Sequence, residues 1–372
     1  MGKKSRILFF SPRLHPNLIS NLDMLYEKKH EIQFISYIRG DFSYSKVNSD
    51  FLGMSFLSII LLLLRKSKLL SHRKYNYYLR KYGGNNIFLI FYKILKFNPN
   101  LIITRDRNFQ TIIITLIGKI LSKKVILYVQ ARDFTFNRNL RNRILNSITP
   151  KIVVNPLINK PSHHVFLPLS VSMSVEPNYL KQSNDIIRIL MVGKYTLKRK
   201  NHFTLLKAFK NLSENYANIK LMIVGTGNED NPTYLNLTQY IIENELEESV
   251  ELKNNISYTA MHKVYRNCNI FVLPSFREPF GYSLLEAMAN GLAVISTNDS
   301  GSASYIKHGH NGYVFSPHNQ KELEELLGQL ISNPEKIRNY GKKAYDHIKA
   351  VASKDAFYTR FIQLERDTLS IN

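Results

Sequence analysis

The sequence lacks the features that would place it outside the cell or across a membrane. It contains a single cysteine, Cys268, among 372 residues, so no internal disulfide can form, which fits a reducing compartment. Its apolar stretch Phe51–Leu64 is 14 residues long and falls short of the ~20 residues that span a bilayer. The apolar run after the basic start ends at Ser11, so no signal peptide fits. We therefore expect a cytoplasmic protein.

Acidic residues are scarce in the first half of the chain. Residues 1–185 carry 29 Lys/Arg against 9 Asp/Glu, whereas residues 186–372 carry 22 against 19. From Phe51 to Arg105 there are ten basic residues and no acidic residue. An AT-rich genome would enrich both halves in lysine equally, so the N-terminal half is selectively basic.

Short apolar runs alternate with helix-period segments along the chain, which predicts βαβ units and parallel sheets. We expect an α/β protein with two Rossmann-like domains facing a cleft, at residues 1–170 and 186–350, and a C-terminal helix at 351–372 that packs back toward the N-terminal domain. The segment Asn155–Asp185, which has four prolines, is the predicted linker. The predicted strands are Ile7–Ser11, Ile32–Tyr37, Leu101–Thr104, Val125–Val129, Ile152–Val154, Ile187–Val192, Lys220–Val224, Val250–Leu252, Ile270–Leu273 and Ala293–Ser296.

Segment 51–97 interleaves apolar, aromatic and basic residues. Phe51–Leu64 runs directly into the basic, Tyr/Leu-rich Arg65–Tyr82, and a second patch of this kind follows at Ile87–Phe97. This composition suits an interfacial helix among anionic headgroups, so we expect the segment to face a membrane. The alternative is a buried domain helix with a solvated basic end. No recognised nucleic-acid module is present, so we expect no nucleic-acid partner.

The segment Pro274–Thr297, PSFREPFGYSLLEAMANGLAVIST, carries the strongest chemical signal. A strand leads into a loop with Glu278, and a helix containing Glu286 opens near Gly281. Such a turn aims backbone N–H groups at an anion, ideally a diphosphate, and Gly281 lets it approach closely. Glu286 lies where a carboxylate can accept hydrogen bonds from sugar or ribose hydroxyls.

With its neighbours, the pair Glu278 and Glu286 resembles the E-x7-E motif of retaining glycosyltransferases of the GT-B fold, in particular glycosyltransferase family 4. The resemblance implies that Glu278 holds the transferred sugar and Glu286 the nucleotide ribose. It also assigns the adjoining Phe280, Gly281 and Tyr282 to the donor site.

The segment Met191–Asn201, MVGKYTLKRKN, resembles the family's G-R-x(n)-K-G element, whose two cations neutralise the leaving nucleoside diphosphate. Lys194 and Lys200 take those positions, and we expect both to act in catalysis. Lys194 stands in place of the usual Arg and lacks the bidentate fork of an arginine. Asn201 stands in place of the usual Gly. The alternative is a solvated basic turn.

Further matches continue through the C-terminal half. Gly225 and Gly227 in Ile223–Glu229 resemble the family's strand-end glycine loop, although glycines that serve helix packing would look the same. Asn254 occupies the usual Gly position of the base-binding segment. These residues join the predicted donor site.

The N-terminal half matches the family less well. The acceptor side is predicted at strand ends: Arg13, His15 and Asn17 after the first strand, Arg105 after the third, and Arg132 and Asp133 in Tyr128–Phe134. In the last segment Gln130 and Arg132 replace the Glu and His of many family members. Arg105 and Arg132 fit an acceptor phosphate, or are paired surface arginines.

The resemblance implies a function for the whole chain. This is the retaining, metal-independent transfer of a hexose-type sugar from a UDP- or GDP-linked donor to a lipid-linked saccharide or glycolipid. It would take place in polysaccharide biosynthesis on the inner face of the plasma membrane, with no cofactor beyond the donor. No Asp-x-Asp pair occurs among the 11 aspartates, so the metal-holding pair of the other glycosyltransferase fold is missing. The alternatives are a soluble acceptor or a non-catalytic GT-B protein that binds a sugar nucleotide.

Overall fold

The computed structural model describes residues 4–12, 14–36, 48–51, 55–71, 74, 75, 78, 86–105, 109–129, 140–148, 151–154, 164–180 and 186–369. The chain forms two compact units. Unit 1 consists of Met1–Asn155, Asn159–Ser170 and Lys354–Asn372, and unit 2 of Pro156–Ile158 and Val171–Ser353.

Within its described residues, unit 1 is built on a parallel sheet of seven strands in the order β3-β2-β1-β4-β5-β6-β7. Apolar β-branched and aromatic runs form the central strands, and all four residues of Leu101–Thr104 are buried, as expected for a parallel sheet covered on both faces. The strands are β1 Arg6–Phe10, β2 Glu31–Ser36, β3 Asn48–Phe51, β4 Leu101–Thr104, β5 Lys124–Val129, β6 Lys151–Val154 and β7 His164–Phe166.

Helices connect these strands, and the last helix of the chain also belongs to unit 1. That helix packs on α1, and at its start the Lys354 Nζ lies 3.3 Å from the carboxylate of Glu27. None of the described helices is long and apolar enough to cross a membrane. The helices are α1 Ile19–Glu27, α2 Phe56–Lys66, α3 Ile87–Phe97, α4 Phe109–Ile120, α5 Leu140–Ile148 and, at the end of the chain, α12 Lys354–Leu369.

Unit 2 contains a parallel sheet in the order β10-β9-β8-β11-β12-β13, which repeats the arrangement of unit 1. Its core is one cluster of buried aliphatic and aromatic side chains between the sheet and its helices. The strands are β8 Ile187–Val192, β9 Ile219–Gly225, β10 Val250–Asn254, β11 Ile270–Leu273, β12 Ala293–Thr297 and β13 Tyr313–Phe315. The helices are α6 His202–Ser213, α7 Pro232–Glu243, α8 Met261–Arg266, α9 Tyr282–Ala289, α10 Gln320–Ile331 and α11 Pro334–Ala352.

The chain passes from unit 1 to unit 2 after Ser170, inside the predicted linker Asn155–Asp185. Part of this segment belongs to unit 1, because β7 adds a strand to the sheet and Leu167 and Leu169 are buried. The apolar stretch Phe51–Leu64 is divided, because Phe51 ends β3 and α2 starts only at Phe56. The strands β3, β7 and β13, which lie at the edges of the two sheets, were not predicted.

Candidate active site

The strand order of unit 2 places a crevice at the carboxyl ends of β8 and β11. The chain leaves β8 toward β9 on one side, whereas β11 lies on the other side, so the connections diverge here. Ligands of doubly wound parallel sheets bind in such a crevice. The pairing of β8 with β11 ends at Phe271↔Leu190, before the carboxyl end of either strand. The loops after both strands therefore meet at the carboxyl ends of the strands, above this gap in the pairing.

Tyr195 and His202 fix the loop that follows β8. The buried Tyr195 hydroxyl donates to the carbonyl oxygens of Ile223 (3.1 Å) and Lys253 (2.9 Å). His202 stacks on Tyr195, and its Nε2 lies 3.1 Å from the Gly193 carbonyl oxygen. Burial lowers the pKa of His202 to about 4, so the ring is neutral at physiological pH and its Nε2–H donates to Gly193.

Glu278 lies between two cations at the mouth of the crevice. Its Oε2 accepts from the Lys200 ammonium at 2.7 Å and also from the Arg199 guanidinium. The Glu278 side chain is 7% exposed, that of Lys200 12% and that of Arg199 32%. Burial lowers the pKa of Lys200, and the Glu278 charge partly offsets this effect. The aliphatic part of the Lys200 side chain packs over Gly193, since a Cβ added at Gly193 would lie 3.2 Å from it.

The backbone around Glu278 is held by the loop that follows β12. The Glu278 N–H donates to the Asp299 carbonyl oxygen (3.2 Å), and the Gly301 N–H donates to the Glu278 carbonyl oxygen (3.1 Å). Arg277 has a positive φ of 47°, and its N–H donates to the Asp299 carboxylate at 2.6 Å. The Glu278 carboxylate is therefore carried on a loop with little freedom to move.

Helix α9 begins directly beside this loop. Gly281 precedes its first residue with φ of 85°, a left-handed conformation that disfavours other residues. A Cβ there would lie 2.7 Å from Leu273 and 2.9 Å from the Ser302 hydroxyl. The first turn of α9 contains no acidic residue, so the positive end of the helix dipole remains available to an anion.

Glu286 lies farther along α9, partly buried and paired with Tyr265 from α8. The Tyr265 hydroxyl donates to Glu286 Oε2 at 2.8 Å. Burial raises the pKa of Glu286 to about 7, although the Tyr265 hydrogen bond acts in the opposite direction. The carboxyl group therefore keeps its proton to a higher pH than an exposed glutamate does.

The other predicted donor residues lie around this centre with different contacts. Lys194 is exposed, and within the described residues it forms no ion pair. Tyr195 fills the space at Gly225, since a Cβ there would approach its ring to 2.4 Å. Asn254 Nδ2 donates to the Gly227 carbonyl oxygen at 2.6 Å and ties β10 to the loop after β9. Two further residues flank Gly281: Phe280 is buried edge-on against Tyr305, and Tyr282 is partly buried.

The predicted acceptor residues belong to unit 1, and several lie outside the described residues. Those outside are Arg13, Gln130, Arg132 and Asp133. Arg105 follows β4 at the corresponding crevice of the first sheet, where its N–H donates to the Phe10 carbonyl oxygen and its guanidinium lies 5.8 Å from the Tyr128 ring centroid. His15 is exposed, and its Nδ1 accepts from the Asn17 N–H at 3.3 Å, which caps a short 3-10 helix.

Sequence reasoning missed Arg199, Tyr265 and His202. Arg199 lies in a run of three basic residues, and no sequence signal tells which of the three reaches Glu278. Tyr265 is 21 residues before Glu286, so their pairing depends on how α8 packs beside α9. His202 opens α6 directly after the basic loop, and a neutral, buried histidine there has no distinguishing sequence pattern.

Known proteins match part of this chain in sequence. Residues 176–347 match the family model described as glycosyl transferases group 1. The capsular polysaccharide biosynthesis glycosyltransferase CapM of Staphylococcus aureus is 30% identical over 180 residues, which are 46% of this chain and 45% of CapM. Sucrose-phosphate synthase of Spinacia oleracea is 31% identical over 148 residues, 36% of this chain and 14% of the synthase. The chain thus spans less than half the length of these relatives.

Solved structures match the fold over nearly the whole chain. A glycosyltransferase from Rickettsia africae ESF-5 has a TM-score of 0.73 at 17% identity and covers 100% of both chains. Anabaena Alr3699/HepE in complex with UDP has a TM-score of 0.72 at 13% identity and covers 97% of this chain and 100% of its own. The expected GT-B fold, with two Rossmann-like α/β domains, is therefore confirmed.

Proposed function

We propose that this chain is a retaining glycosyltransferase of family 4. It transfers a hexose-type sugar from a UDP- or GDP-linked donor to a lipid-linked saccharide or glycolipid during cell-surface polysaccharide synthesis. The cluster of Lys200, Arg199 and Glu278 in the unit 2 crevice, next to the start of α9, carries this proposal. The glycosyl transferases group 1 match over residues 176–347 supports it, because it covers the same residues.

The reaction breaks the bond between the anomeric carbon and a diphosphate oxygen. It forms a bond from that carbon to the acceptor oxygen on the same face, and the acceptor proton leaves with the diphosphate. Negative charge develops on the departing oxygen, where Lys200 and the N–H groups at the start of α9 stabilise it. Glu278 accepts hydrogen bonds from the sugar hydroxyls, and Glu286 accepts them from the ribose.

A donor panel tests the catalytic proposal. Wild-type protein is incubated with UDP- and GDP-hexoses, and nucleoside diphosphate release is measured. We expect Glu278→Gln to reduce kcat/KM for the accepted donor at least about 100-fold, because a charged hydrogen-bond partner is lost. The matched control is Glu247→Gln, an exposed carboxyl of unit 2, which retains wild-type release. An unchanged kcat/KM in Glu278→Gln, or an inverted anomeric product by NMR, contradicts the proposal; no release with any donor favours a non-catalytic binding protein.

The exposed apolar faces of α2 and α3 support a membrane-borne acceptor. Phe88 is 85% exposed, Phe56 79% and Leu63 58%, which are the three largest values among the described large apolar side chains of these two helices. Arg65 and Lys66 follow at the end of α2. Apolar side chains next to Lys and Arg fit a surface of anionic lipid. Lys93 contributes less to this charge, because it pairs with Asp50 at 2.6 Å.

Sedimentation with vesicles tests this part of the proposal. We expect the wild type to bind phosphatidylglycerol-containing vesicles and to dissociate as the salt concentration rises. Phe88→Ser weakens binding, since an exposed aromatic anchor is lost. Ile242→Ser, at a 56% exposed residue of unit 2, is the matched control and binds like the wild type. Equal binding by the two variants, or no binding by the wild type, refutes membrane attachment through this surface.

A soluble acceptor is the second candidate. It is favoured by the similarity of part of this chain to sucrose-phosphate synthases, since the spinach protein matches over 36% of this chain. This candidate predicts that added soluble sugar acceptors accelerate donor turnover and that vesicles have no effect.

A further inference from the structure

The distribution of positive charge in the unit 2 crevice differs from the expectation drawn from the sequence. The family-like element assigns the two diphosphate cations to Lys194 and Lys200. In the structure, Lys200 does reach the crevice, but the second cation on Glu278 Oε2 comes from Arg199. Two groups that donate to one carboxylate oxygen lie close enough to bind a single phosphate group together.

The backbone of Arg199 is held on the β11 side of the crevice. Its carbonyl oxygen accepts from the Phe276 N–H at 2.9 Å, so its short 3-10 helix is joined to the loop that carries Glu278. The backbone beside Lys194 is held on the β9 side, because the next N–H along the chain, that of Tyr195, donates to the Thr226 carbonyl oxygen. The two backbones are therefore held on different sides of the crevice, although the exposed Lys194 side chain is near enough for its charge to add to burial in lowering the pKa of Lys200.

Arg199 also has donors to spare for a ligand. A guanidinium has five N–H donors, and within the described part of the chain its ion-pair partner is Glu278. About a third of the side chain is exposed, so a ligand in the crevice has access to it. The planar fork of an arginine binds two phosphate oxygens at once, which a lysine ammonium does not.

We propose that Arg199, and not Lys194, supplies the second cation for the donor diphosphate, together with Lys200. This inference rests on the proposed function, since it assumes a nucleoside diphosphate ligand. In the nucleotide-free protein the Glu278 carboxylate neutralises these cations. When the nucleotide binds, phosphate oxygens take over donors that Glu278 held, and Glu278 turns to the sugar. Glu278 therefore competes with the diphosphate when no sugar is present.

Binding of UDP and GDP, measured by calorimetry, tests this assignment. We expect Arg199→Ala to weaken the better ligand about 10- to 100-fold, as for loss of hydrogen bonds to a charged group. Arg199→Lys should give an intermediate loss, because the charge remains but the fork is lost. Lys194→Ala should change binding by less than about threefold. Lys198→Ala, which changes an exposed neighbour of Arg199, is the matched control and should bind like the wild type.

A fifth variant separates phosphate contact from a purely structural role of Arg199. Glu278→Gln should tighten nucleoside diphosphate binding, because it removes a negative charge that competes for both cations. If Arg199 only positioned Glu278, its replacement would leave nucleoside diphosphate binding unchanged. Wild-type affinity in Arg199→Ala, or a larger loss in Lys194→Ala, overturns the assignment. If wild type binds nucleotide but turns over no donor, the catalytic proposal fails while the assignment stands; if it binds neither nucleotide, both fail.

Discussion

Replacing Glu286 with glutamine should make the protein more stable at alkaline pH and have little effect in acid. Burial raises the pKa of Glu286 from its ordinary 4.5 to about 7. A carboxyl whose pKa rises on folding holds its proton more tightly in the folded state. The ionised form therefore costs stability, and this loss develops as the pH rises from 4.5 to 7. At about 1.4 kcal/mol for each tenfold change in proton affinity, the full cost of raising the pKa from 4.5 to about 7 is about 3.5 kcal/mol.

Urea unfolding of the wild type and of Glu286→Gln from pH 5 to pH 8 measures this effect. The difference in the free energy of unfolding should grow by about 2–3 kcal/mol over this range in favour of the glutamine variant, with a midpoint near pH 6. Other titrating groups are common to both proteins and cancel in the comparison. The exposed Glu247→Gln controls for removal of a negative charge. A difference that stays constant with pH would show that the carboxyl is ionised without penalty, and the reasoning would be wrong.

Three further predictions concern unit 2. Tyr265→Phe removes the hydrogen bond that lowers the pKa of Glu286, so an NMR titration of that carboxyl should have a higher midpoint; an unchanged midpoint would refute the coupling. Gly225→Ala places a Cβ 2.4 Å from the doubly hydrogen-bonded Tyr195 ring and should destabilise the protein by about 1–3 kcal/mol in urea unfolding, whereas wild-type stability would mean that the ring moves freely. Gly328→Ala, inside α10, should instead stabilise the protein by about 0.5–1 kcal/mol, because the added Cβ meets its nearest neighbour, Leu212, at an ordinary contact distance of 3.9 Å; a loss of stability would contradict this unstrained fit.

The sequence predicts most of the fold because the central strands are continuous apolar runs with turn residues at their ends. The bounds of Leu101–Thr104, Ile187–Val192 and Ile270–Leu273 agree with the structure, and other predicted strands shift by one or two residues. The strands β3 and β7 were not predicted because each depends on pairing with its single neighbour, β3 at one edge of the sheet and β7 at the other. Their own residues carry no long apolar run.

The site separates in the same way into local and long-range parts. Glu278, Gly281 and Glu286 lie on one strand–loop–helix segment, so their relation follows from chain connectivity and is visible in the spacing of the residues. The sequence by itself thus determined the two-domain α/β class and the segment that carries the carboxylates.

Contacts between distant segments decided the rest. Arg199 reaches Glu278, 79 residues later, because the loops after β8 and β11 meet at the edge where the sheet connections diverge. The pKa of Glu286 depends on burial beside α8, which its own helix does not specify. Spacing along the chain fixes which residues share an element. Which charged side chains meet, and how tightly Glu286 holds its proton, depend on strand order and burial. These exist only once the sheet has formed.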